Sequence, residues 1–103
     1  MRWTIRYSGT HLARRLRVWA IRYPGLLAAI QRRIDRELAV DPESHLGPRC
    51  VPTTTRPYYL DLTPDGDSVS EPLHITFYVD TRPDARELIV IQGRLQTDRY
   101  PVE

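Results

Sequence analysis

Four arginines and one tyrosine near the C-terminal end of the chain could bind and activate a phosphodiester. Arg82 and Arg86 lie in a predicted turn, Arg94 and Arg99 flank the end of the last predicted strand, and Tyr100 follows. A guanidinium stabilises the charge that develops on phosphate oxygens during cleavage, and an aromatic ring stacks on a nucleic-acid base. These residues would suit a phosphodiester substrate, although a rim of ordinary solvated arginines would give the same pattern.

Histidine, cysteine and glycine offer few other chemistries. The three histidines (His11, His45 and His74) and Cys50 show no metal-ligand spacing, such as a C-x-x-C or a close pair of histidines. We therefore expect no metal site and no cofactor. A Cys50 nucleophile would need His45 or His74 as its base, and an incidental thiol is the simpler interpretation. The five glycines are scattered and none precedes a lysine, which argues against a glycine-rich phosphate loop.

The charge of the chain is divided unevenly along its length. All 15 basic side chains are arginine. Residues 1–36 contain nine arginines and one acid, whereas residues 37–103 contain six arginines and twelve acids. Arginine is favoured where a planar group must bind phosphate or carboxylate, but a GC-rich genome also replaces lysine with arginine. The asymmetry itself predicts a basic surface formed by the first third of the chain.

Length and hydropathy predict one domain, residues 1–103, in the cytoplasm. A chain of 103 residues and 12.0 kDa has the size of a single ordinary domain. No apolar run approaches the roughly 20 residues of a membrane-spanning helix. The stretch MRWTIRYSGT lacks the continuous apolar segment of a secretory signal. Cys50 is the only cysteine and cannot form an internal disulfide.

The first third of the chain predicts one strand and two helices. Polar and apolar residues alternate over residues 2–7, which is typical of a half-buried strand, and Ser8 or Thr10 could cap the helix that follows. Apolar side chains spaced by four, three and four positions predict a helix over residues 11–23. Apolar residues spaced from Leu27 to Leu38 predict a second helix, which Pro24 would open and Asp41-Pro42 would end. The short connection predicts an antiparallel helical hairpin.

The rest of the chain predicts three strands after an irregular, proline-rich connector. Two-residue periodicity marks strands at residues 57–63, 73–80 and 87–95, separated by turns at residues 64–67 and 81–86. Strands linked by short turns form an antiparallel meander, and the amphipathic hairpin can cover its apolar face. The predicted fold class is α+β, in the order β-α-α-β-β-β, with the helical hairpin packed on a small, mainly antiparallel sheet.

Several segments in this order resemble the RelE/ParE superfamily of toxins from type II toxin–antitoxin systems. They are the first strand TIRYS, the connector DPESHLGPR after the second helix, the paired strands HITFYVDTRPDARELIVIQGR, and a tyrosine shortly after that glycine. The resemblance spans about residues 2–100 and implies the RelE/ParE-like fold. It also implies a growth-inhibiting toxin held inactive by a cognate antitoxin protein.

The resemblance implies two different activities. RelE-like members are ribosome-dependent endoribonucleases (mRNA interferases), in which a 2′-hydroxyl attacks the adjacent phosphate of messenger RNA. On that reading Arg94, His74 and Tyr100 are the catalytic residues: Arg94 stabilises the phosphate, His74 acts as acid or base, and Tyr100 stacks on or orients a base. Arg82, Arg86 and Arg99 would bind RNA. ParE-like members instead trap DNA gyrase without catalysis.

The chain departs from the nuclease pattern at three places, one of which is the long, acidic linker TPDGDSVSEP between the second and third strands. His74 stands where an arginine usually opens the third-strand motif, and the second strand carries Asp61 where nuclease members are often basic. An acidic group beside an RNA backbone lowers affinity, because binding depends on neutralising phosphates. The alternatives to the nuclease are therefore a gyrase inhibitor, a member that has lost its toxicity, or an interaction domain whose arginine-rich helices bind an acidic partner.

Overall fold

The computed structural model describes residues 2–98, which form a four-stranded sheet with helices on one face. The elements are β1 (Thr4–Tyr7), α1 (Thr10–Arg22), α2 (Leu26–Arg36), β2 (Arg56–Leu62), the short α3 (Pro64–Asp67), β3 (Leu73–Arg82) and β4 (Glu87–Thr97). Single 3-10 turns lie at Pro42–Ser44 and Pro83–Ala85. None of the helices within residues 2–98 combines the length and the apolar character needed to cross a membrane.

The strand order confirms the predicted α+β fold of helices on a mainly antiparallel sheet. The order is β1-β4-β3-β2, in which β2, β3 and β4 form the antiparallel meander and β1 pairs in parallel with β4. Between β1 and β2 the chain passes through both helices, so that the two strands form opposite edges of the sheet. The sheet is thus mixed, with one parallel pair at its edge.

The core lies between the helices and one face of the sheet. Leu73, Ile75, Phe77 and Val79 alternate along β3 and are all buried, as period-two patterning requires. The helices add an apolar stripe to the same cluster: Leu12, Trp19, Leu26, Ile30 and Ile34. The intervening β3 residues face away from this core, and no helix within residues 2–98 covers them completely. This second face of the sheet is called the open face below.

A β-bulge at Ile91 changes which side chains of β4 face the core. Leu88 and Val90 are buried before it, but the register with β3 shifts by one residue between Tyr78 and Val79. The buried positions after the shift are therefore odd-numbered, starting with Gly93. Arg94 consequently lies on the open face. Bulges are known to redirect side chains in this way near functional sites.

Close packing between α1 and the sheet explains Gly93. A Cβ atom at this position would lie 2.9 Å from two ring carbons of Phe77 and 3.2 Å from the Trp19 ring. The Trp19 and Phe77 rings are themselves packed, with centroids 6.4 Å apart. Only glycine lets the α1 tryptophan approach β4 this closely.

A hydrogen-bonded group of charges joins α2 to β2 and α3. Arg33 contacts Glu37 at 2.9 Å and Asp67 at 3.3 Å, and Glu37 accepts a hydrogen bond of 2.7 Å from the Tyr58 hydroxyl. Burial, together with this hydrogen bond, raises the pKa of Tyr58 above its ordinary value. Asp67 also accepts the Thr63 backbone N–H, so its carboxylate has a structural role.

Several predicted boundaries were wrong, and glycine is the reason for two of them. Neither Ser8 nor Thr10 caps α1, because Gly9 takes the cap position with a φ of 88° and no side-chain bond. The second helix starts at Leu26 after the left-handed Gly25 (φ 85°), so Pro24 precedes the helix instead of opening it. It also ends at Arg36, before hydrogen-bonded turns that reach residue 40. The predicted turn at residues 64–67 is one helical turn.

Candidate functional site

A polar cleft of about 180 Å³ opens on the open face between β3 and β4. It is lined by His74, Thr76, Tyr78, Arg94, Leu95 and Gln96. Alternation along β3 places the first three of these on one face, and the bulge in β4 places Arg94 beside them. Two of the residues that the sequence indicated for catalysis, His74 and Arg94, therefore meet in one cleft.

His74 is held by two carboxylates, one on each ring nitrogen. Its Nδ1 lies 2.8 Å from Oδ1 of Asp61, the cross-strand neighbour on β2, and its Nε2 lies 2.9 Å from Oδ1 of Asp98. The hydrogen bond to Asp61, followed by that to Asp98, raises the pKa of His74 above its ordinary 6.5. Because both neighbours are carboxylates, which accept hydrogen bonds, the arrangement favours the imidazolium, the form of His74 that can act as a proton donor.

Arg94 is exposed and makes no ion pair or hydrogen bond with any residue between 2 and 98. It pairs across the sheet with Thr76, whose side chain is short and half-buried. The guanidinium is therefore free to bind an anion over the cleft. Together His74 and Arg94 supply a proton donor and a permanent positive charge, which are the two groups that phosphodiester cleavage uses.

Of the other residues indicated by the sequence, the described ones, Arg82 and Arg86, do not join this cleft. Arg82 lies opposite Glu87 in the backbone register of the β3–β4 hairpin, at the end far from the cleft and eight residues along β3 from His74. At about 3.3 Å per residue this separation is roughly 26 Å. Arg86 lies in the same turn, with its guanidinium 5.2 Å from the centre of the Trp3 ring. Arg99 and Tyr100 lie outside the described residues.

The cleft is not strongly basic. The positive charges of Arg94 and His74 face the negative charges of Asp61 and Asp98. Asp80, on the same face of β3, accepts a hydrogen bond of 2.9 Å from Thr54. Asp98 was not among the residues indicated by the sequence, because nothing in its local pattern distinguishes it from any polar residue that ends a strand.

A second groove, of about 280 Å³, lies along α1. It is lined by His11, Arg14, Arg15, Val18, Trp19 and Arg22. The sequence of this helix, THLARRLRVWAIR, contains no acidic residue. Val18 is 48% exposed and Ile21 is 82% exposed on the same helix. The α1 groove thus combines apolar side chains with a rim of arginines.

Cys50 and the histidines form no further site within residues 2–98. No group of three His, Cys, Asp or Glu side chains in this range is arranged to hold a metal ion. Cys50 is a half-buried free thiol in the connector. His45 lies beside Glu37, with 3.8 Å between Nδ1 and Oε1, and His74 is bound to its two aspartates.

Comparison with known proteins adds no assignment. The chain matches no protein-family model, and no curated protein and no solved structure is significantly similar to it.

The His74 contacts predict a specific pH dependence. In an NMR titration we expect the ring of His74 to titrate above pH 6.5, and Asp61→Asn to lower that midpoint.

The same contacts predict how the free energy of unfolding depends on pH. Because the pKa of His74 is higher in the folded than in the unfolded protein, its contribution to stability is complete below pH 6.5 and is lost as the pH rises through the folded pKa. Urea unfolding from pH 5 to 9 should show this loss in the wild type and not in His74→Gln. A midpoint at or below the ordinary value would contradict the double contact.

Proposed function

We propose that this protein is a RelE/ParE-like toxin of a type II toxin–antitoxin system that cleaves messenger RNA on the ribosome, in the cytoplasm. The observation that carries the proposal is the cleft in which two side chains face outward from the sheet. They are His74, held by two carboxylates, and Arg94, which makes no ion pair or hydrogen bond with any residue between 2 and 98. The order of strands and helices, and the motifs quoted above, support the same assignment.

The proposed reaction follows from the charges of these two groups. The 2′-oxygen attacks the adjacent phosphorus, the bond from phosphorus to the 5′-oxygen breaks, and a 2′,3′-cyclic phosphate forms. Arg94 stabilises the charge on the phosphorane oxygens, and His74 donates its Nε2 proton to the departing 5′-oxygen. The 2′-hydroxyl proton passes to water. Asp61 keeps Nδ1 oriented, while Asp98, whose side chain is 64% exposed, gives up its place at Nε2 to the substrate.

Dependence on the ribosome is consistent with the charge of the cleft. RNA affinity comes mainly from neutralised phosphates, and the two aspartates beside Arg94 and His74 offset most of the positive charge there. A cleft of this kind binds free RNA weakly and needs its substrate positioned by another molecule. We therefore expect cleavage of mRNA in translating ribosomes under conditions that leave the same RNA intact when it is free.

Induced expression in a bacterial host tests the proposal. Growth arrest together with new 5′ ends inside translated messages, mapped by primer extension, would support the nuclease. Arrest with intact transcripts and gyrase trapped on DNA would contradict it and identify a gyrase inhibitor. Normal growth at a verified level of folded protein would contradict toxicity and favour an interaction domain.

The α1 groove is the surface we propose for the antitoxin. Its apolar side chains and arginine rim complement an acidic, amphipathic helix, and α1 carries no acid that would repel one. We expect the double variant Arg14→Glu/Arg22→Glu to bind the co-expressed antitoxin at least about tenfold more weakly, measured by calorimetry.

The matched control for this prediction is Arg49→Glu, which reverses an exposed arginine of the connector outside the groove. This variant should bind the antitoxin like the wild type. Unchanged binding in the double variant would place the antitoxin elsewhere. Loss of growth arrest in the double variant would instead indicate that these arginines contact the ribosome.

A further inference from the structure

The open face carries two tyrosines beside the cleft whose rings have no role in the core. Tyr59 on β2 is 63% exposed, although its neighbours Tyr58 and Leu60 are buried. Tyr78 on β3 lines the cleft together with Arg94. Neither hydroxyl makes a hydrogen bond with another residue between 2 and 98. Aromatic rings exposed on a sheet face are the groups on which unpaired bases stack.

The strand register places Tyr59 and Arg94 on either side of the short side chain of Thr76. Tyr59, Thr76 and Arg94 form a single cross-strand row, because Thr76 pairs with Tyr59 on one side and with Arg94 on the other. Neighbouring strands are about 4.8 Å apart, so the backbones of Tyr59 and Arg94 lie roughly 10 Å from each other. From this register we expect the short threonine between them to leave a trough with the Tyr59 ring on one side and the Arg94 guanidinium on the other.

Tyr78 is the next residue of β3, after Thr76, whose side chain lies on the open face. It follows Thr76 by two residues along β3 and is therefore a diagonal neighbour of Tyr59, at about 7–8 Å between backbones. Two rings at this separation can each hold one base of a single strand, with the connecting phosphate within reach of the guanidinium at the edge of the trough. A duplex cannot bind in this way, because its bases are already stacked on each other.

We infer that Tyr59 and Tyr78 form a base-stacking subsite for single-stranded RNA, in which successive bases lie on the two rings and a phosphate lies on Arg94. This inference rests on the proposed function, because it names the groups that hold the substrate of the same cleft. Stacking is tolerant of sequence, so the subsite contributes affinity and orientation with little preference for particular bases.

The test uses an RNA that the protein cannot cleave. A fluorescein-labelled, fully 2′-O-methylated hexanucleotide lacks the attacking hydroxyl, so its anisotropy reports binding alone. At low salt we expect Tyr59→Ala to weaken binding by about 5- to 150-fold, the equivalent of about 1–3 kcal/mol for one stacked base. Tyr59→Phe keeps the ring and should bind like the wild type. Tyr7→Ala removes an exposed tyrosine from the edge strand β1 and serves as the matched control.

The outcomes separate this inference from the proposed function. Equal binding by wild type and Tyr59→Ala would overturn it, as would equal losses in Tyr59→Phe and Tyr59→Ala, or the absence of any binding by the wild type. Ribosomal cleavage measured on the same proteins tests the nuclease independently. Ring-dependent binding without cleavage would leave the subsite standing and contradict the nuclease, whereas unchanged cleavage and binding in Tyr59→Ala would contradict the subsite alone.

Discussion

Replacing Arg94 with alanine is expected to slow mRNA cleavage on the ribosome by about 10²–10³-fold, the usual cost of losing one group that stabilises charge in a transition state. Most of the loss should appear in the single-turnover rate at saturating ribosomes. The phosphate already carries one negative charge when it binds, but the second charge, which Arg94 is proposed to stabilise, develops only as the phosphorane forms. Arg94 is exposed and unpaired within residues 2–98, so its removal leaves the free energy of unfolding unchanged.

Two further variants make this prediction specific. Arg82→Ala removes an exposed arginine from the far end of the same hairpin and should cleave like the wild type. Arg94→Lys should fall between the wild type and Arg94→Ala, because an ammonium supplies the charge without the planar fork of a guanidinium. Cleavage by Arg94→Ala at the wild-type rate would contradict both the proposed mechanism and the proposal that the cleft between β3 and β4 is the site of cleavage.

The strands and helices could be predicted from the sequence, but the position of Arg94 could not. The segment ELIVIQGRL is apolar almost throughout, so its alternation does not show which residues face the core. Without the bulge at Ile91, the pattern that buries Leu88 and Val90 would turn residue 94 inward. A bulge depends on how two strands fit together across the sheet, and single-strand periodicity contains no information about that fit.

The contacts of His74 could not be predicted from the sequence either, because they also depend on how two strands pair. Asp61 and His74 are 13 residues apart and become neighbours only because β2 and β3 pair in one particular register. The sequence showed Asp61 as an acidic departure from a basic strand. In the fold Asp61 is the hydrogen-bond partner that contributes most to raising the pKa of His74, so in the proposed mechanism the same residue weakens RNA binding and supports proton donation.

The basic first third of the chain and the predicted catalytic cleft lie on different sides of the sheet. Arginines of the first third rim the groove on α1, which packs against the core face, whereas the cleft lies on the opposite, open face. An antitoxin confined to the α1 groove would therefore leave the cleft uncovered. For the proposed toxin, inhibition would then require either a longer antitoxin segment that crosses to the open face or a bound antitoxin bulky enough to block access to the ribosome.

The largest effect on stability is expected at Trp19, the tryptophan that joins α1 to the sheet. Its side chain is only 2% exposed and packs against Phe77 and Gly93. We expect Trp19→Ala to lower the free energy of unfolding by about 3–5 kcal/mol, measured by urea denaturation, because the glycine opposite has no side chain to fill the cavity. A domain of this size has roughly 5–15 kcal/mol in total, so the variant should be close to unfolding at 37 °C.

The neighbouring positions show whether this loss comes from the packing contact. Val18→Ala, one residue earlier and 48% exposed, should change the free energy of unfolding by less than about 0.5 kcal/mol. Gly93→Ala should cost about 1–3 kcal/mol from the opposite cause, because its new Cβ would be 2.9 Å from the rigid Phe77 ring. Since Gly93 immediately precedes Arg94, this overpacked variant should also displace the guanidinium and slow cleavage while the protein stays folded. Stable Trp19→Ala and Gly93→Ala proteins would show that α1 does not lie against β4 as closely as these distances require.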